Sequence, residues 1–378
     1  MEYTFAEFNQ ALYTAARERR APLVGHFELT RRCNLGCIMC YIRQKAGDAQ
    51  AMREELSAAQ WIDLARQARD EGMLYLLLTG GEVLVRKDFF QILEGVSSLG
   101  LMLSLSTNAT LLTPALAREL ARYPLGLVMV TLYGASAATY GQVTGVAAGF
   151  ERTLRGVRLL QEQGVPLKLR STMIRQNVAD LQGLLAIAED LGLELGLDGG
   201  LFGHRRSGVD SEPFAVRLTP EERLACEELY RRAWAQKQGV ELPEPSEPRK
   251  ITPPDPEEIS SAVVPGGKEN AFRCASGHFS FTVNPDGRLC ACMLMAEPSV
   301  SLLPEFRFRE AWAQLGGLSD QVPVCPECQV CAHRKICQPC PARLQGETGS
   351  AARKAPYLCR KAELLAGGQY PAARSFYE

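Results

Sequence analysis

The 378-residue sequence predicts an α/β protein: a partial (β/α)6 TIM-like barrel followed by a cysteine-rich C-terminal domain. Three observations carry that reading. Between residues 23 and 201, apolar runs of strand length alternate with longer helical stretches, as repeated βα units around a parallel sheet do. Short polar motifs follow the first four strand candidates, so they share one rim of the barrel, where chemistry gathers in such folds. Nine of the thirteen cysteines fall between Cys274 and Cys359, too dense a set for chance.

Taken in order, residues 1–20 form a helical extension in which Phe5, Phe8, Leu12 and Ala16 recur at three-to-four spacing, suited to capping the bottom of the barrel. The barrel spans 21–215, with strands predicted at 23–29, 74–78, 101–106, 127–132, 166–173 and 193–197. Helices are predicted at 57–71, 88–99, 114–122, 149–164 and 178–191, with Ser57 and Thr113 as N-caps. Residues 216–272 hold a helix over 220–237 and a connector rich in proline and acid over 242–265. The cysteine-rich domain covers 273–360, with a hairpin turn at Asn284-Pro285-Asp286-Gly287, and a tail covers 361–378.

Composition narrows the function classes. Apolar residues at 46% and charged residues at 22% support an ordinary core. The 42 basic and 43 acidic side chains leave a net charge of -1, so no global field favours nucleic acid or an anionic membrane. No apolar run reaches the ~18 residues of a spanning helix, and the start lacks the basic-then-apolar layout of a signal peptide. A cytoplasmic protein is expected, in which clustered thiols are metal ligands rather than disulfides. Only His26, His204, His278 and His333 occur, scattered, which disfavours histidine-based metal chemistry.

The motif after the first strand is Cys33-x3-Cys37-x2-Cys40. Three thiolates leave a 4Fe-4S cube one ligand short, and an open position is what a metal that binds a reactant keeps. A zinc knot or three buried thiols is the alternative for the triplet alone. The second strand ends in Thr79-Gly80-Gly81-Glu82, where glycines admit close backbone approach to a ligand and a carboxylate suits a cationic amine. Ser106-Thr107-Asn108 and Thr131-Leu132-Tyr133-Gly134 end the third and fourth strands.

The cysteine triplet, with Gly80-Gly81-Glu82 one strand later, resembles the radical S-adenosylmethionine (radical SAM) superfamily. Met39 stands where that family commonly has an aromatic residue before the third cysteine, and Tyr41 follows instead. The resemblance implies a cluster on Cys33, Cys37 and Cys40 whose open iron chelates SAM, with Gly80, Gly81 and Glu82 on the SAM amino group. It further implies Thr107, Asn108 and Thr131 near the ribose or carboxylate, and Arg170 and Ser171 near the SAM carboxylate; strand-end caps or surface ion pairs are the plainer readings.

The run from Cys274 through Gly287 to Cys292, then Cys328, Cys331, Cys337, Cys340 and finally Cys359 resembles the SPASM domain, which holds two auxiliary iron–sulfur clusters. The resemblance implies an outer cluster on Cys328, Cys331, Cys337 and Cys359, an inner one on Cys274, Cys292 and Cys340, and three [4Fe-4S] clusters in all. Two departures from the family pattern, a spacing of two residues before Cys340 and Ser280 where a cysteine often stands, open the inner cluster's fourth position. Cys290 or Cys325 fills it, or the iron stays open. Two structural zinc sites are the competing reading. Cys226 reads as a small buried hydrophobe, or else as a hydrogen donor to a substrate radical, as in peptide-epimerising relatives.

The family resemblance implies a peptide maturase: hydrogen abstraction from a ribosomally made precursor peptide, installing a crosslink, thioether or epimer. An anaerobic sulfatase-maturing enzyme is the alternative, and an Fe-S electron carrier or zinc scaffold the non-enzymatic one. Expected partners are the precursor peptide, an electron donor such as flavodoxin or ferredoxin, and a separate leader-binding protein. The last follows because the roughly 20 residues before the barrel are too few for a peptide-recognition domain.

Overall fold

The computed structural model describes residues 5–198, 200–203, 212–241 and 271–367. The proline- and acid-rich connector at 242–265, His204 and most of the C-terminal tail lie outside the described residues. The strands are β1 Val24–Glu28, β2 Arg32–Cys33, β3 Gln44–Lys45, β4 Tyr75–Thr79, β5 Met102–Thr107, β6 Leu125–Thr131, β7 Leu167–Ser171 and β8 Leu195–Leu197, then β9 Ser280–Val283, β10 Arg288–Cys290 and β11 Ser299–Ser301.

All six expected barrel strands form, as parallel neighbours in the order β1-β4-β5-β6-β7-β8. Helices Ala58–Asp70, Phe89–Ser97, Pro114–Leu120, Gly149–Glu162 and Leu181–Asp190 lie between them, as the spacing predicts. Ser57 closes a capping box with Gln60, and the Thr113 hydroxyl accepts from the Leu116 N–H. Phe27, Leu78, Leu105, Val128, Val130 and Leu169 are fully buried, as strands covered on both faces require. Trp61 packs its ring 4.9 Å from Phe27, which fixes the first crossover helix to the first strand.

Helix Ala137–Thr144 was not expected, because its glycine and β-branched residues give no clear helical period. It is pinned by Tyr140, whose buried hydroxyl sits 3.0 Å from Thr153 Oγ1.

The sheet does not stop at β1. β9 pairs with β1 in parallel from Val24↔Ser280 to Phe27↔Val283, and β10 and β11 extend it antiparallel into one nine-stranded sheet. Asn284–Gly287 makes the expected hairpin turn, with Gly287 at φ 77° and its N–H donating to Asn284 O at 3.0 Å. Phe281 carries the hairpin into the core against Phe308 and Trp312, at ring distances of 5.0 and 5.8 Å.

Helix Phe5–Arg19 rests on this C-terminal part rather than only on the barrel. Tyr13 stacks on Phe279 at 5.6 Å, and Arg17 donates to Cys274 O at 2.6 Å.

Candidate metal and cofactor site

The loop after β1 carries Cys33, Cys37 and Cys40 and is held from three sides. From β4, the Gly81 N–H donates to Thr30 O at 2.7 Å and the Glu82 N–H to Arg32 O at 2.9 Å. A Cβ on Gly81 would stand 2.7 Å from Arg31 O, and Gly80 lies at φ +144° against Thr30. The two glycines therefore let β4 approach the backbone of the cysteine loop itself. From helix Ala137–Thr144, Thr144 O and Val143 O accept from Gly36 and Ile38 at 2.7 and 3.0 Å.

Beneath the loop, the Glu55 carboxylate accepts from Arg32 at 2.8 and 3.0 Å, from Arg86 at 3.4 Å and from the Thr30 hydroxyl. Arg86 also donates to Leu29 O and Leu56 O at 2.8 and 2.9 Å. The Arg32, Glu55 and Arg86 side chains are 3–6% exposed, so this is a buried charge network.

The three thiols are close enough to feel one another. Burial pushes Cys33 up to about 12, with further raising from Glu82 and Cys40. Burial also raises Cys37 and Cys40, and the charges of Cys40 and Cys33 add to the effect at Cys37. Three enclosed thiols that oppose one another's ionisation become stable thiolates on binding cations, as a metal-ligand set does. Among the described residues no three His, Cys, Asp or Glu side chains are placed to share a single ion. A cluster takes one thiolate per iron and spreads its ligands wider, so this donor set fits an iron–sulfur cluster.

Hydrogen bonds reach all three sulfurs, with the Ile42 and Arg43 backbone N–H groups pointing at Cys40. Leu35 N–H lies 3.4 Å from Cys33 Sγ and Asn108 Nδ2 3.8 Å from it, while the Tyr133 hydroxyl donates to Cys37.

Glu82 is fully buried. It accepts from Thr107 Oγ1 at 2.8 Å, Asn108 N–H at 2.7 Å and Leu84 N–H at 3.1 Å, and burial raises its pKa. In this arrangement the carboxylate ties the end of β4 to the end of β5. Thr107 and Asn108 accordingly spend their side chains on Glu82, Cys33, Asn34 and Thr110. Thr131 is half-buried at the end of β6, in register with Arg170, whose guanidinium pairs with Asp198. Ser171 is completely buried, and among the described residues its Oγ has no hydrogen-bond partner.

The C-terminal cysteines sort into two groups. Burial pushes Cys292 up to about 12, with Cys340 and Cys274 raising it further. Cys340 stands just before helix Pro341–Thr348, and the backbone N–H groups of Arg343 and Ala342 point at its sulfur. The second group holds Cys328, Cys331, Cys337 and Cys359; burial first, then the charges of neighbouring thiols, raise Cys328, Cys359 and Cys337, the last to about 11. Cys325 joins this group through a hydrogen bond with Cys328. Cys290 stands apart, its sulfur accepting from Asn284 Nδ2 at 3.0 Å. Cys226 is 3% exposed in the main apolar core, and burial raises its pKa.

Sequence reasoning missed Tyr133 and the Glu55 network. Tyr133 had a signal, a hydroxyl-bearing residue two positions past a strand end; Glu55 had none, since its arginine partners are 23 and 31 residues away.

Residues 27–188 match the radical SAM superfamily, and the chain carries a radical SAM domain. An AdoMet-dependent heme synthase of Methanosarcina barkeri is 26% identical over 360 residues, covering 89% of this chain and 96% of that protein. The PqqA peptide cyclase of Rhizobium meliloti is 32% identical over 167 residues, 44% of each chain. The mycofactocin maturase MftC of Mycolicibacterium smegmatis is 25% identical over 326 residues, 84% of this chain and 77% of that one. Streptococcus suis SuiB, solved with its precursor peptide SuiA, shares the fold at TM-score 0.64 and 16% identity, over 95% of this chain and 83% of SuiB. Native anSMEcpe with bound AdoMet shares it at TM-score 0.65 and 15% identity, over 92% and 97%.

Proposed function

We propose that this chain is a radical SAM maturase that abstracts hydrogen from a ribosomally made peptide and installs a crosslink, thioether or epimer. The observation that carries the reading is the sorting of eleven of the thirteen cysteines into three groups, one in the first βα loop and two in the C-terminal part. Cys33, Cys37 and Cys40 would hold the SAM-binding cluster. Cys274, Cys292 and Cys340 would hold an inner auxiliary cluster, and Cys328, Cys331, Cys337 and Cys359 an outer one with Cys325 as a fifth thiol beside it. When bound, cluster and SAM supply reductive cleavage of the sulfonium to a 5'-deoxyadenosyl radical.

The chain's own part is to bind and orient. Gly80 and Gly81 hold the cysteine loop close, Glu82 fixes the ends of β4 and β5, and the unpartnered Ser171 hydroxyl offers a hydrogen bond at the end of β7. Thr131 and Arg170, in register across β6 and β7 on the opposite face from Ser171, would meet the ribose and carboxylate of SAM. The peptide as substrate is supported by the relatives named for peptide cyclisation and maturation and by SuiB, solved with a precursor peptide. A flavodoxin or ferredoxin as donor, a separate leader-binding protein and a cytoplasmic setting that keeps thiols reduced belong to the same reading.

Anaerobic reconstitution tests it. About twelve irons per chain are expected for three cubes, with 5'-deoxyadenosine formed on reduction with SAM and lost in a C33A/C37A/C40A variant. Zinc in place of iron, or no SAM cleavage, would sink the reading.

A second reading, action on a carboxylate-bearing tetrapyrrole, is favoured by the heme synthase match that spans 96% of that relative. Paired incubations with a candidate precursor peptide and with iron coproporphyrin decide between them: the true substrate changes mass and consumes SAM stoichiometrically.

A further inference from the structure

We propose that Asn108 and Tyr133, at the ends of β5 and β6, hydrogen-bond the sulfurs of Cys33 and Cys37 and so set how readily the cluster on those cysteines is reduced. The inference rests on the reading that Cys33, Cys37 and Cys40 hold a cluster. It gives both residues a positioning role, with no contact to substrate.

The orientation of Asn108 is fixed by its neighbours. Its Oδ1 accepts from Thr110 Oγ1 at 2.6 Å and from the Thr110 N–H at 3.0 Å, and its backbone N–H is held by Glu82 at 2.7 Å. The amide nitrogen therefore faces the other way, 3.0 Å from Asn34 Oδ1 and 3.8 Å from Cys33 Sγ. A flipped amide would set its NH2 group against the Thr110 N–H, so the donor assignment follows from the network. Tyr133 is fixed through its backbone, where its carbonyl accepts from Asn177 Nδ2 at 3.0 Å. Its hydroxyl donates to Cys37, with Cys40, Asp198 and Tyr140 the other ionisable groups around it.

A donor aimed at a thiolate sulfur draws off negative charge, and the reduced cluster carries one electron more than the oxidised one. Such bonds stabilise the reduced form more and raise the potential. Removing them lowers it.

The test is a potentiometric titration followed by electron paramagnetic resonance in N108A and Y133F, with SAM present. SAM shifts the spectrum of the cluster it binds and separates it from other iron. At the potential where the wild-type cluster is half reduced, each variant is expected to show a roughly tenfold lower ratio of reduced to oxidised cluster, with iron content and SAM affinity unchanged. An unchanged ratio in both variants overturns the proposal. So does weakened SAM binding at an unchanged ratio in N108A, which would make Asn108 a SAM contact. Should N108A lose its iron, Y133F carries the test, because it removes a hydroxyl while keeping the ring. A wild-type chain without a SAM-responsive signal would instead overturn the underlying cluster reading.

Discussion

At the scale of single residues, the glycines of the β4 loop are set by backbone proximity. A methyl on Gly81 would collide with the carbonyls of Arg31 and Arg32, which belong to the chain entering the cysteine loop and have nowhere to move. G81A is expected to cost about 1–3 kcal/mol and to lower iron retention at Cys33, Cys37 and Cys40, read by denaturant unfolding and iron analysis. Glu55 is the converse case, a charge required by its neighbours. Removing it would leave Arg32 and Arg86 buried without their shared carboxylate, so E55A should lose about 3–5 kcal/mol. An E55A midpoint equal to wild type in the same unfolding experiment would contradict the network's role. Gly80, Gly81 and Glu82 were legible as a motif in the sequence, but the partners of the glycines and of the carboxylate were not, because they come from β1 and β5.

At the scale of elements, β9 decides how the two halves of the chain are joined. Its residues Ser280–Val283 are all buried, and Phe281 inserts between β1 and helix Phe308–Ser319. The close fit reaches into β1: a Cβ on Gly25 would stand 3.0 Å from the Phe281 ring. F281A is therefore expected to cost about 3–5 kcal/mol, and the loss should destabilise barrel and cysteine-rich part together. Two separated unfolding transitions in wild type would show that the shared sheet does not couple them.

At the scale of the whole molecule, eleven thiols are gathered in three groups, and in each group burial and the charges of neighbouring thiols oppose ionisation, at Cys33 and Cys37, at Cys292, and at Cys328, Cys337 and Cys359. Metal loading relieves that opposition, so cluster binding and folding are linked. Iron-loaded protein should unfold roughly 5 °C or more above metal-free protein, measured anaerobically by calorimetry; equal midpoints would mean that the thiols do not couple metal binding to stability. No described helix is long and apolar enough to cross a membrane.

The sequence by itself determined the barrel, because strand and helix periods, caps at Ser57 and Thr113 and the turn at Gly287 are local signals that each segment carries alone. Of the cysteine groups, only Cys33, Cys37 and Cys40 follow from sharing one loop; the sorting of the later ones rests on the family resemblance, since Cys337 and Cys340 are three residues apart yet fall in different groups. Only the tertiary structure decided that β9 extends the barrel sheet, that Cys325 sits with Cys328 while Cys290 bonds Asn284, and that Asn108 and Tyr133 face the sulfurs. These are pairings between segments up to about 250 residues apart. Nothing in a local period encodes them; they arise where buried polar groups must find partners and an exposed sheet edge must be covered.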